Sequence, residues 1–428
     1  MRSKSFLIVL LLLLAISVLG ARGPLWWTVW AGEKTQVTWG DKMLEDFKRE
    51  TGINIIRVDL DDEEFKISLQ SSFGAGNPPD LWHSWGGGVF KSYAQQGVVH
   101  DITDLLNEDW ALELIPRSVL GGITYEGKVY GLPYTSWVGH IYINTDLFKK
   151  AGVKIPDADK GEVWTWDEFI DAINKFNAKK IIPIVVGGRE KWELSFFYMY
   201  LVDRIGGSEA FANAISRKPA ASFYSEPFIK AGYYVQELVD NKAFQPGFLG
   251  YGYGDAERLF IAGRAAMYLM GPWCVGNIRS VNPNFPLDVI AFPTVPGGKG
   301  DPSMVLGAVQ TYFCISEASK YKDELREFLK FLARPENIKE FVKTVGDIVV
   351  FNVDLPEGSY DPVVEKQIRL MRKASFLQMA YDQASPPAFA SAHLDAVAGL
   401  FAKKLTPEEA ALMQEKKAMQ LYKDGILP

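Results

Sequence analysis

An α/β fold with a mostly parallel sheet is predicted for this chain, and three observations carry the expectation. First, strand-like apolar runs alternate with amphipathic helical runs from residue 25 onward, as in a sheet flanked by helices on both faces. Second, the segment Asp255–Trp273, DAERLFIAGRAAMYLMGPW, holds a complete helix-to-strand unit. Leu259, Phe260 and Ala262 form a short helical pattern closed by Gly263, Ala265–Met270 reads as a buried strand, and Gly271-Pro272 stops it. Trp273 is then left at the carboxyl end of a strand, where open α/β sheets bind ligands. Third, 428 residues with no internal repeat suffice for two domains with separate cores.

Taken in order, residues 1–20 are expected to be a signal peptide outside the fold. Arg2 and Lys4 precede the apolar or small run Phe6–Leu19, and cleavage is expected before Ala21. The run is short for a bilayer span, which wants about twenty residues. A retained anchor is the alternative. No cysteine follows to accept a lipid, so a periplasmic or extracellular location is expected. Leu25–Ala31 is the first strand, and Asp41–Thr51 is an amphipathic helix with Met43, Leu44 and Phe47 on one face, ended by Gly52. Ile53–Leu60 is the next strand. Further helices are expected over Val89–Gln96, Leu147–Ala151, Asp167–Asn177, Phe228–Asn241 and Lys322–Ala333. Thr406–Asp424 is the last, with Thr406 as N-cap and Pro407 at the first helical position.

Breaks at Pro133–Gly139, Phe292–Gly300 and Gly346–Leu355 are candidate domain crossings. The net charge of −6 and pI near 5.5 exclude a nucleic-acid partner, which needs a basic surface. Twelve tryptophans against four histidines and two cysteines favour aromatic stacking over metal chemistry, and no cofactor is expected.

The pattern Phe260-x-x-Gly263-x-Ala265-Ala266-Met267-x-x-x-Gly271-x-Trp273 resembles the extracellular solute-binding proteins of ABC sugar importers, of the maltose- and oligosaccharide-binding type. Further pieces follow in that family's order: Phe47 to Ile53, Asn77 to Leu81 with Tyr93 to Gly97, Tyr125 to Tyr134, Tyr142 to Phe148, and Thr165 to Phe169. The resemblance implies a two-lobed periplasmic-binding-protein fold. The expected N-terminal lobe is 24–135 plus 293–346, and the C-terminal lobe 138–290 plus 352–428. It also implies a monomer that closes on a hinge around a carbohydrate and delivers it to a membrane permease. The serine-proline run Ser385-Pro386-Pro387-Ala388-Phe389-Ala390 departs from the maltodextrin-type pattern, so maltose itself is not implied.

Sugars present apolar C–H faces and a rim of hydroxyls, which call for rings and for carboxylate, amide or cationic groups. Candidate ligand-binding residues are therefore Trp30, Glu33, Lys34, Trp85, Trp137, Trp192, Trp273 and Asp382. Trp30 ends the first strand before a turn carrying Glu33 and Lys34; a second reading makes it a core ring like Trp26 and Trp27. Trp85 is followed by three glycines that leave its ring little cover. Trp137 lies in a presumed crossing, Trp192 opens a helix, and Asp382 is expected in a loop between helices. Thr165 and Glu168 form a capping box, so Trp166 is read as packed, and Asp80 as ending a strand through backbone contacts. Two other readings stay open. The same fold could take a charged solute, a polyamine or a phosphorylated polyol, or the chain could be an exported glycoside hydrolase. No nucleophile-elbow, phosphate-loop or HExxH motif supports an enzyme.

Overall fold

The computed structural model describes residues 23–427; the expected signal peptide at 1–20 lies outside the described residues. Two separate bodies of core are packed from different stretches of chain. The first is drawn from 26–134 and 312–351, around Trp26, Trp39, Tyr134, Phe313 and Phe341. The second is drawn from 137–306 and 363–427, with Ile348 added. It divides into two clusters because alternate residues of buried strands point to opposite faces. Met267 and Leu269 enter one cluster, while Tyr268 and Met270 enter the other.

One continuous ten-stranded mixed sheet runs through both cores. Its principal order is Ile56–Asp59, Leu25–Thr28, Leu81–Ser84, Val305–Ile315, Leu132–Asn144, Ala265–Met270, Ile182–Val185. The first three strands are mutually parallel, as are the last two. The expectation of a mostly parallel sheet therefore describes each half, while the middle is antiparallel. Two long strands form that middle and pass from one core to the other. Tyr134 belongs to the first core and Trp137 to the second; on the returning strand Leu306 belongs to the second and Tyr312 to the first. Between those points the register slips at Val309, Thr311 and Tyr312, and the Thr135 hydroxyl donates to Thr311 across the slip at 2.9 Å.

Local sequence explains most helix ends. Gly52 takes the left-handed conformation (φ 77°) after helix Lys34–Thr51. Helix Trp166–Ala178 begins with the Thr165–Glu168 capping box, and Pro407–Lys423 with its Thr406–Glu409 counterpart. Trp166 is buried, its indole donating to Glu237 at 2.8 Å, and Asp80 accepts from the Leu25 backbone at 2.8 Å.

Several expectations need correction. The first helix begins at Lys34, about two turns before the expected start at Asp41. Pro133–Gly139 is no break: Leu132–Asn144 is one unbroken strand, buried almost throughout, so it shows no alternating polarity. Trp273 does not trail a strand but starts a helix, Trp273–Val281. Asp382 lies in a short helix, Tyr381–Ala384, instead of a loop. Residues 293–304, expected in the N-terminal lobe, pack on the second core. There the buried Arg204 guanidinium donates to the carbonyls of Phe292, Pro293, Asp301, Pro302 and Met304. Cys274 and Cys314 are both free and buried, one in each core.

Candidate ligand-binding cleft

The two cores face each other along two seams. The first seam gathers rings. Trp192 and Trp273 each occupy the first position of a helix, where a side chain stands clear of the turns behind it, and both are half-buried. Their ring centres lie 6.5 Å apart, and Tyr253 adds a third ring 5.7 Å from Trp192. Trp273 packs directly over Gly271, where a Cβ would come within 2.0 Å of the ring. The missing side chain at 271 thus sets the position of the indole.

Trp137 does not offer a face to this seam. It is 1% exposed, stacked on Phe196 at 5.1 Å, and lies 5.7 Å behind Trp273. The strand carrying it is covered on both sides, which makes the ring a support. Trp30 is likewise a core ring. Trp26 and Trp39 pack edge-on against it at 5.2 and 5.9 Å, and the Arg57 guanidinium sits 5.6 Å above it.

Glu33 does reach the first seam. Its carboxylate accepts from the Asn277 side chain at 2.8 Å, joining the turn before helix Lys34–Thr51 to helix Trp273–Val281. Lys34, one residue on, is exposed. Glu257 accepts from the same Asn277 nitrogen at 3.2 Å and from the Tyr253 hydroxyl at 3.0 Å. Burial raises the proton affinity of Glu33 and pushes Glu257 up to about 8, with the Glu33 charge adding to it. Burial also lifts Asp347 to about 8 and holds Glu193 well above the carboxylate range. Among the described residues, none of these four acids has a lysine or arginine within ion-pair distance.

The second seam is built differently. Trp85 is covered at its edges by His83 (4.6 Å) and Phe65 (5.7 Å), and the Lys66 ammonium lies 5.4 Å above its ring. Lys66 pairs with Asp62 at 2.7 Å and Glu63 at 3.1 Å, and Asp382 adds a third negative charge from the other core. The glycines after Trp85 do not bare its ring, as the sequence suggested. Gly87 has φ 68°, and a Cβ on Gly87 or Gly88 would meet the Gln383 or Ala384 carbonyl at 2.5–2.6 Å, so both permit close approach of the cores. His83 is buried without a protein partner, and burial pushes its proton affinity down to about 3.

The structure thus brings together Trp192, Trp273 and Glu33 on one seam, and Trp85 with Asp382 on the other. Tyr253, Glu257, Asn277, Glu193 and Asp347 escaped the sequence reading. Glu193 adjoins Trp192 and Asp347 lies within the candidate crossing Gly346–Leu355, which were the only signals available. The described residues hold no cluster of three or more histidine, cysteine or acidic groups suited to a metal ion, and no helix long and apolar enough to cross a membrane. Rings flanked by acceptors can stack on a flat apolar face and hydrogen-bond its polar rim.

Known proteins are similar to this chain in sequence and fold. A multiple sugar-binding protein of Streptococcus mutans is 26% identical over 313 residues, 72% of this chain and 71% of that protein. A solved structure described for xylan utilization by the thermophilic bacterium Caldanaerobius polysaccharolyticus is 28% identical. It superposes with a TM-score of 0.85 over 92% of this chain and 99% of its own. A chitin oligosaccharide binding protein, 22% identical, has the same fold, with a TM-score of 0.84 over 93% of this chain and 98% of its own. The family, the Streptococcus relative and the chitin oligosaccharide neighbour are binding proteins. The family profile described as bacterial extracellular solute-binding protein matches residues 31–339, and with the two-lobed α/β fold this shows that the chain belongs to that family.

Proposed function

We propose that this chain is the carbohydrate receptor of an ABC importer, capturing a sugar between its lobes and delivering it to a membrane permease. The observation that carries the reading is the face made by Trp192, Tyr253 and Trp273 beside the Glu33, Asn277 and Glu257 side chains. Two or three stacked rings with charge-assisted hydrogen bonds reach roughly −8 kcal/mol, the scale of micromolar binding. A sugar-binding relative and neighbours tied to xylan and chitin oligosaccharides support a di- or oligosaccharide. In this reading the lobes rotate about crossings near 135–137, 307–311 and 346–350. The protein acts as an exported monomer after loss of residues 1–20, and binds without chemistry. Intrinsic tryptophan fluorescence titrated with neutral mono- and oligosaccharides tests it. A saturable change with one sugar class is expected, and release of a shorter sugar on incubation would instead favour a hydrolase.

One observation favours a second reading. Three buried acids and the half-buried Glu33, without a cationic partner and beside rings, would also suit a ligand bearing an ammonium group, through ion pairing and cation–π contact. Silence across neutral sugars with a saturable response to a polyamine would select it. The same surplus of acid opposes a phosphorylated polyol.

A further inference from the structure

The first seam has a property that no ligand is needed to explain. Helix Trp273–Val281 of the second core seats against the first core at its narrowest residue. A Cβ on Gly276 would come within 2.7 Å of the Val345 carbonyl and 3.5 Å of the Thr35 hydroxyl. One residue further on, the two hydrogens of the Asn277 carboxamide face two carboxyls from different lobes. Nδ2 donates to Glu33 Oε2 at 2.8 Å and to Glu257 Oε2 at 3.2 Å. Two oxygens that close to one nitrogen lie no more than about 6 Å apart, well inside the range at which like charges oppose each other's ionisation. We propose that Glu33, Asn277 and Glu257 form a proton-sensitive latch that holds the two lobes closed.

The groups facing the latch come from every element packed on it. Tyr253 donates to Glu257 from the same helix, and Arg258 beside it points its charge at Asp255. Asp347, from the turn after Val345, is 8% exposed with an unpartnered oxygen. Tyr268 and Cys274 are buried neutral groups, and Glu193 lies beyond them, anchored to the Gly187 amide at 3.0 Å. Closure therefore gathers acids in a dry seam and supplies no cation within ion-pair distance among the described residues. It is completed by taking up a proton.

The sign follows from the direction of the shifts. Closure sets the Glu33 carboxyl across the seam from Glu257, and burial together with that second charge raises the proton affinity of both, Glu257 to about 8. A state that raises the proton affinity of a group binds more protons, so it is favoured by acid. The closed form is favoured at acid pH. It loses ground as pH rises, and levels off above about 8. Between pH 5 and pH 8 the ratio of closed to open molecules should fall at least about tenfold.

Small-angle scattering on the purified, ligand-free protein across pH 5–9 reads this directly, with circular dichroism on the same samples reporting folding. The radius of gyration should grow as pH rises while the helical signal stays constant. Glu33→Gln combined with Glu257→Gln keeps the acceptors and removes the charges, so this protein should stay compact throughout. Asn277→Leu should be open even at pH 5. A wild-type radius that does not respond to pH, or a double glutamine variant that follows the wild-type curve, would overturn the latch. Because no sugar is present, that result stands apart from success or failure of the carbohydrate titration.

Discussion

The two seams between the lobes use the same residue types and solve opposite electrostatic problems. Along the Trp85 seam, Asp62, Glu63 and Asp382 surround the Lys66 ammonium, which also lies over an indole. Along the Trp273 seam, Glu33, Glu257, Asp347 and Glu193 gather beside rings, with the Asn277 amide between the first two. The first arrangement holds a cation among its acids. The second holds its acids in a state that water, protons or a ligand can change, which is what a site that opens and closes requires. Buried charge costs several kcal/mol unless it is paired.

The comparison can be broken at four points, in falling order of expected effect. Trp137→Ala removes the buried ring behind Trp273 and should cost about 3–5 kcal/mol of stability, read by urea denaturation. A loss under about 1 kcal/mol would mean the ring is not a packed support. Trp273→Ala should weaken sugar binding roughly 30-fold, about 2 kcal/mol, with little change in stability. Retention of affinity within threefold would take the stacking face away from this seam. Gly271→Ala places a methyl where the Trp273 ring now sits and should weaken binding about tenfold through displacement alone. An unchanged affinity would show that the indole is free to move. Lys66→Met strands three acids on the other seam and should cost about 1–2 kcal/mol, partly restored by Asp382→Asn. A stability loss that Asp382→Asn fails to reduce would mean Asp382 does not belong to the Lys66 cluster.

Much of the architecture is legible in the chain because it is local. Thr165 and Glu168, or Thr406 and Glu409, announce helix starts within four residues. The strand Ala265–Met270 has the bounds its apolar run implies. The candidate site is legible only in part. Trp192, Trp273 and Glu33 emerge from their positions beside turns, yet Trp30 stands beside the same kind of turn and is a core ring. Exposure of an aromatic depends on which distant residues cover it: here Trp39 and Arg57 for Trp30, and Phe196 for Trp137. The glycines after Trp85 teach the same lesson, since their lack of side chains serves a backbone almost 300 positions away.

The amino-acid sequence by itself determined the alternation of helices and strands, the caps that end them, the membership of a solute-binding family and a surplus of aromatic rings. These depend on periodicity and short-range hydrogen bonding, which act between residues near each other in the chain. Only the tertiary structure decided which rings are free, where the chain passes between cores, and that Glu33 meets Glu257 on Asn277. The Glu33–Asn277 contact spans 244 positions, and its existence depends on two lobes closing on one another. No local pattern encodes a proton affinity that arises only when that seam is dry.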